Sequence, residues 1–312
     1  MARFTRDSRS AAGAHNQQPP ASHYSRTSQR YASAHRPRKR HNLTLAVAIP
    51  LLALGVALMA GAGVTFFQNQ EEYQAGVDEY HQLAQANVTE DTVTGRPVVD
   101  FDALKQQNPE IVGWIQIPGT PINYPVCQTY NNDHYLVHTF LDQYNLAGTI
   151  FMDYRSFSTL SDWNTAVYGH HLQNGEMFAR IADYSNQAEF DTITNVYYIT
   201  QDGEVRVLLP LCCIVVSGYD VDAVQFDFPS QQQFEVYVQS LLDRASARAA
   251  SASANDLEHI YMLSTCSYAN ENDRTILVCV DYGAGGNTGT YADATQSMSD
   301  IQAAADAAAG IA

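Results

Sequence analysis

Residues 43–67, LTLAVAIPLLALGVALMAGAGVTFF, run for 25 positions without a charged side chain. As a helix this stretch would be about 37 Å long, enough to cross a hydrocarbon core of about 30 Å with some tilt. Pro50 and the glycines are tolerable in such a helix. The run divides the chain. Residues 1–42 carry nine of the 17 Lys and Arg and a single acid, Asp7. Residues 68–312 carry the other eight bases and 32 of the 33 acids, a balance of 8 − 32 = −24. A basic flank before an apolar span keeps the N-terminus in the cytoplasm and sends the remainder outside. A cleaved signal peptide, with Ala60-Gly61-Ala62 as its small-residue site, is the rival reading, but the basic region and apolar run are both long for that. The expectation is a single-pass protein of the cell membrane, with residues 1–42 a disordered basic tail, residues 43–67 a transmembrane helix and an extracellular domain beyond it.

So acidic an ectodomain is a poor partner for nucleic acid, which rewards clustered Lys and Arg. The chain has five cysteines, Cys127, Cys212, Cys213, Cys266 and Cys279, with no CxxC and no zinc-type spacing. Few cysteines on an exported chain argue against a disulfide scaffold and leave room for a reactive thiol.

Residues 68–98 read as an acidic, weakly amphipathic helix, a stalk or a helix packed on the domain, closed by the pattern-breaking TVTGRPVV. A short helix starts near Phe101, with Asp100 as its N-cap. Eight β-prone runs follow, at 111–118, 121–129, 148–154, 164–171, 195–200, 204–218, 258–265 and 275–282. Gly119-Thr120 and Asp202-Gly203 fit tight turns between neighbouring strands. Helical insertions interrupt the runs at 175–184 and 228–250, the second with Phe234, Val236, Val238, Leu241 and Leu242 on a roughly helical period. Many short strands with closed edges make a barrel. The fold class is mainly β, an eight-stranded barrel with N-terminal helices and a helix inserted before the strand that carries Cys266. Residues 284–312 turn Gly-, Thr- and Ala-rich and form a tail.

The chemistry gathers in YMLSTCSYANENDR, residues 261–274. Cys266 ends one strand, a polar loop follows, and Arg274 opens the next. A fixed cation beside a thiol stabilises a thiolate, or the oxyanion formed when that thiolate attacks a carbonyl. NTAVYGHH, residues 164–171, delivers a histidine at a strand end beside Gly169, and imidazole is the side chain best suited to proton transfer near neutrality. Cys, His and Arg at strand ends would make a nucleophile, an acid/base and an oxyanion stabiliser.

LSTC with Arg274 eight residues later, preceded by NTAVYGHH, resembles the sortase family of membrane-anchored cysteine transpeptidases. The long insertion before the Cys strand resembles class B sortases, as do DFDALKQQNPEIVGWIQIPGTPINYPVCQT, NDHYL and GTIFMDY. The resemblance covers about residues 99–283, which it marks as the catalytic domain. It implies Cys266 as nucleophile, His170 as general acid/base and Arg274 as the group that steadies the oxyanion and the substrate. It implies Ser264, Asn132 and Leu136 as substrate-groove positions. His171 should leave the opposite face of its strand. Met262 and Ser267 depart from the family pattern, and no Asp stands out to orient His170.

The implied activity is cleavage of a C-terminal sorting signal of secreted proteins through a thioester, with transfer of the acyl group to an amine of a peptidoglycan precursor. The class resemblance suggests an Asn-Pro-x-Thr-type signal. Alternatives are a pilin-polymerising sortase that uses a Lys amine, a cysteine peptidase that gives the acyl group to water, and a catalytically silent adhesion module. No cofactor is implied. His134 and His138 stand four apart like metal ligands, but the sequence shows no evident third ligand, and no metal site is assigned. Cys212 and Cys213, adjacent in one strand, should face opposite sides, and Cys279 is a candidate disulfide partner for Cys266.

Overall fold

The computed structural model describes residues 43–267 and 272–281, and the expected tails 1–42 and 284–312 lie outside them. Among the described residues, those up to Leu58 and those from Met59 onward group as separate units.

Helix α1 runs Leu43–Asn87. Within it, Val47–Thr65 is long and apolar enough to cross a membrane, with a mean hydropathy of 2.2. The last turns of α1 have a different character. Val77, Tyr80 and Leu83 are buried, at the three-residue spacing of one helix face. The Tyr80 hydroxyl donates to the Gly148 carbonyl at 2.6 Å and accepts from the Phe140 N–H at 3.2 Å. A buried phenol needs such partners, and these tie the helix end to the loop before a barrel strand. Strands β1 (Val88–Glu90) and β2 (Pro97–Val99) form a small hairpin. Helix α2 (Phe101–Gln107) follows, and the Asp100 side chain caps it by accepting from the Ala103 N–H.

The barrel is built from β3 (Ile111–Gln116), β4 (Asn123–Cys127), β5 (Ile150–Met152), β6 (Asn164–Gly169), β7 (Val196–Thr200), β8 (Val205–Ser217), β10 (Ile260–Ser267) and β11 (Asp273–Asp281). Between them lie α3 (Ala179–Asp183), α4 (Gln187–Phe190), α5 (Gln231–Asp243) and the two-residue strand β9 (Ala247–Arg248) on the flank of β8. The sheet order is β11-β10-β6-β5-β4-β3-β7-β8, and β8 pairs again with β11 to close eight strands. All eight β-prone runs of the sequence form these strands. The turns at both expected places carry hydrogen bonds, Thr120 N–H to Ile117 and Gly203 N–H to Thr200.

Alternation along the strands sorts the side chains into two apolar clusters. Val167, Leu263, Leu277, Cys213 and Trp114 belong to the cluster inside the barrel. Ala166, Met262, Ile276, Val278 and Cys212 belong to a second cluster outside, under α5. The neighbours Cys212 and Cys213 thus face opposite sides, as their mid-strand position predicts.

Helix α5 begins at a Ser230 cap that accepts from the Gln233 N–H. It buries Phe234, Tyr237, Val238, Leu241 and Leu242 on the outer cluster. The sequence reading assigned Val236 to this face, and the structure corrects it: Val236 is 65% exposed and Tyr237 takes the place. At 100° per residue Val236 sits some 200° from Phe234, whereas 234, 237, 238, 241 and 242 make one stripe. The helix is also shorter than the 228–250 run, since the residues after Arg244 extend and pair with β8.

Candidate active site

Three neighbouring strands end together at one edge of the barrel. β10 lies between β6, to which it is parallel, and β11, to which it is antiparallel. The register matches Thr265 with Gly169, so Cys266 and His170 are the next residues on two strands running in step. Across the other flank Cys266 is the register partner of Arg274. Alternation then sets the face. Met262, Ala166 and Ile276 belong to the outer cluster, and Cys266, His170 and Arg274 each lie an even number of residues from them. The three positions therefore form a row across the outer face, with Cys266 in the middle. The Cys266 side chain and residues 268–271 lie outside the described residues.

His170 is held from several sides. Its Nε2 hydrogen donates to the Leu136 carbonyl at 2.7 Å, an oxygen that can only accept. That bond fixes the tautomer of the neutral ring, and Nδ1 has no hydrogen-bond partner among the described residues. The His170 carbonyl accepts from the Phe178 N–H at 2.9 Å. Two glycines make the arrangement possible. A Cβ on Gly169 would lie 2.4 Å from Ile150 Cδ1 and 2.7 Å from the Phe178 ring. Gly148 has φ +61, and a Cβ there would lie 2.8 Å from the Leu136 oxygen and 3.1 Å from His170 Cδ2. Any larger residue at 148 would collide with both partners of the His170–Leu136 bond.

Leu136 closes a 3-10 turn, His134–Leu136, and the residue is 38% exposed. Sequence reasoning named it as a groove residue, and its main-chain oxygen does further work that a side-chain motif does not reveal. Ser264 is buried on β10, two residues before Cys266 and in register with Tyr168 and Ile276. Asn132 is engaged at both ends of its amide, donating to Asp153 Oδ2 at 2.9 Å and accepting from the Tyr154 N–H at 3.0 Å. His171 forms a bridge with Met177.

Asp153 had no role in the sequence reading, although it lies in the quoted GTIFMDY. It is fully buried, and it accepts from Arg155 at 2.9 and 2.8 Å, from Asn132, and from the Tyr168 hydroxyl at 3.0 Å. Burial pushes its carboxyl up, and the Arg155 hydrogen bonds and charge outweigh this, holding it below the usual carboxylate range. The Arg155 guanidinium also lies 4.3 Å over the Phe226 ring, in the segment leading to α5. This network fixes Tyr168, two residues before His170 on the same face of β6. The available signal was Asp-Tyr-Arg, a carboxylate two residues from a guanidinium.

Cys127, Cys212, Cys213 and Cys279 are buried free thiols. The register partner of Cys279 is Tyr261, five residues from Cys266 along β10, about 16 Å away at strand rise. That exceeds disulfide reach, so Cys279 is a core residue.

No protein-family model matches the chain. It is 27% identical over 236 residues to sortase B of Listeria monocytogenes, covering 75% of this chain and 94% of that protein. It is 27% identical over 220 residues to sortase B of Staphylococcus aureus, covering 69% and 86%. The fold is similar to the crystal structure of sortase B from Bacillus anthracis in complex with AAEK1, with a TM-score of 0.58 and 28% identity, covering 69% of this chain and 98% of that one.

Proposed function

We propose that this chain, a class B-like member of the sortase family and so a cysteine transpeptidase, uses Cys266, His170 and Arg274 to join secreted proteins to an amine at the outer face of the membrane. The observation that carries the assignment is the row of register partners, with Cys266 flanked by His170 on β6 and Arg274 on β11.

The Cys266 thiol passes its proton to His170 Nδ1, and the resulting thiolate attacks a backbone carbonyl in a C-terminal sorting signal. Arg274 steadies the oxyanion of the tetrahedral intermediate. His170, its ring set by the Leu136 carbonyl, protonates the departing amine, and a thioester joins enzyme and substrate. A primary amine of a peptidoglycan precursor attacks the thioester, His170 takes its proton, and the thiolate leaves. Ser264, Asn132 and Leu136 are the groove positions, and the buried Asp153 braces Asn132 from beneath. Residues 43–67 anchor the chain with the basic tail in the cytoplasm, confining enzyme, translocated protein and lipid-linked acceptor to one surface and raising their effective concentration.

Intact-mass spectrometry of the protein with a sorting peptide, with and without an amine acceptor, tests the reading. The expected result is an acyl adduct on Cys266 that passes to the amine. Cys266→Ala should lose the adduct and at least about 10⁴-fold in rate. Mostly hydrolysed peptide under saturating amine would make the protein a peptidase instead, and an intact peptide would leave a non-catalytic module.

A further inference from the structure

His134, His138 and Asp142 recur at intervals of four, and the structure folds them onto one another. Nε2 of His134 lies 2.9 Å from Asp142 Oδ1. His138 donates its Nδ1 hydrogen to the His134 carbonyl at 2.9 Å, so its Nε2 carries a lone pair. One ligand atom from each of the three residues lies within 4.8 Å of the others. A metal-binding histidine commonly has its second nitrogen held by a carbonyl in this way.

Asp142 reaches the pair because of an unusual backbone. Its φ is +60, a left-handed conformation that Asp tolerates better than most residues. The hydrogen bonds Asp142 N–H to Thr139 and Thr139 N–H to Gln143, with the bridge of His138 to Tyr144, hold that turn. The carboxylate is thus returned over His134 by a built loop. The Asp142 side chain is 70% exposed and that of His134 32%, which leaves an open path and an open coordination position.

We propose that His134, His138 and Asp142 form a site for a divalent transition metal of the zinc type. Two imidazoles and one carboxylate suit such an ion; calcium and magnesium demand more oxygen ligands than this cluster offers. The imidazoles stack with centroids 4.3 Å apart and planes within 6°. A metal must lie in the plane of each ring it binds, so one ring leaves the stack on binding. His138 is tethered by its Nδ1 hydrogen bond, so the His134 ring turns, exchanging its Asp142 hydrogen bond for a shared ion. The site is built on the same 3-10 turn that presents the Leu136 carbonyl to His170. The binding claim stands apart from the catalytic reading, and only the significance of its position depends on that reading.

The full chain, stripped by a chelator, would be titrated with Co²⁺ and then Zn²⁺, reading the visible d–d bands. The expected result is one saturable Co²⁺ equivalent displaced by Zn²⁺. Asp142→Asn and His138→Ala should each weaken it at least about tenfold, and Cys266→Ala should leave it unchanged. Asp142→Asn preserves the shape of the loop, and circular dichroism would verify that each variant is folded. The absence of saturable binding, binding kept in both ligand variants, or binding lost in Cys266→Ala overturns the site. Thioester formation on the metal-free protein, measured beside it, reports separately on the catalytic reading.

Discussion

β6 and β10 run side by side, with His259 just before β10 and His170 just after β6, and the two histidines could hardly be treated more differently. His259 precedes Ile260 at the start of β10. It donates from Nδ1 to the Asp162 carbonyl and accepts at Nε2 from the Thr165 hydroxyl at 3.0 Å. Both nitrogens are committed, and burial pushes its pKa down to about 4 against the pull of the Asp162 carbonyl. His170, at the far end of β6, is half-buried, and its hydrogen bond to Leu136 uses Nε2 alone. One imidazole is a neutral strut bonded at both nitrogens, and the other is bonded at Nε2 alone among the described residues, as the proposed acid/base role requires. What decides the role of a histidine here is the occupancy of the second nitrogen, which sequence does not encode locally.

The contrast can be broken by exchanging the expected effects. His170→Ala should lower the rate of acyl transfer by about 10²–10⁴-fold in steady-state kinetics, whereas His259→Gln should leave it within a few-fold. If the two variants lose activity equally, the distinction between strut and acid/base fails. Next comes stability against pH. The folded pKa of His259 lies below its unfolded value of about 6.5, so its contribution is complete above that pH and is lost as pH falls toward about 4. The loss amounts to about 3 kcal/mol at 1.36 kcal/mol per unit, and urea unfolding between pH 7 and 4 should show it in the wild type and not in His259→Gln. The smallest effect sharpens the catalytic end. Gly148→Ala forces a Cβ against the Leu136 oxygen at a positive φ, so it should cost about 1–3 kcal/mol of stability and lower kcat more than it raises KM.

The strands and the inserted helix were legible because period-two and period-3.6 patterns report burial directly. The error at Val236 came from reading apolar character without counting angle, since Tyr237 completes the stripe. The order Cys266, His170, Arg274 was legible as strand ends, but their adjacency needed the register of three strands distant in sequence. Asp153 and Asp142 were not assigned for a related reason. A carboxylate buried by an Arg two residues away, and one returned by a left-handed turn, differ from surface acids only in how the backbone bends. The Leu136 carbonyl is the extreme case, because every residue has one.

Closure of the barrel leaves β10 hydrogen-bonded along both flanks. The main chain leading to Cys266 is therefore already paired, and among the described residues β10 offers no free ladder for an added strand. A peptide bound beside Cys266 would therefore lie across the outer face against side chains and loop tips, so its selection would rest on the loops around the barrel, which can change without disturbing the framework beneath.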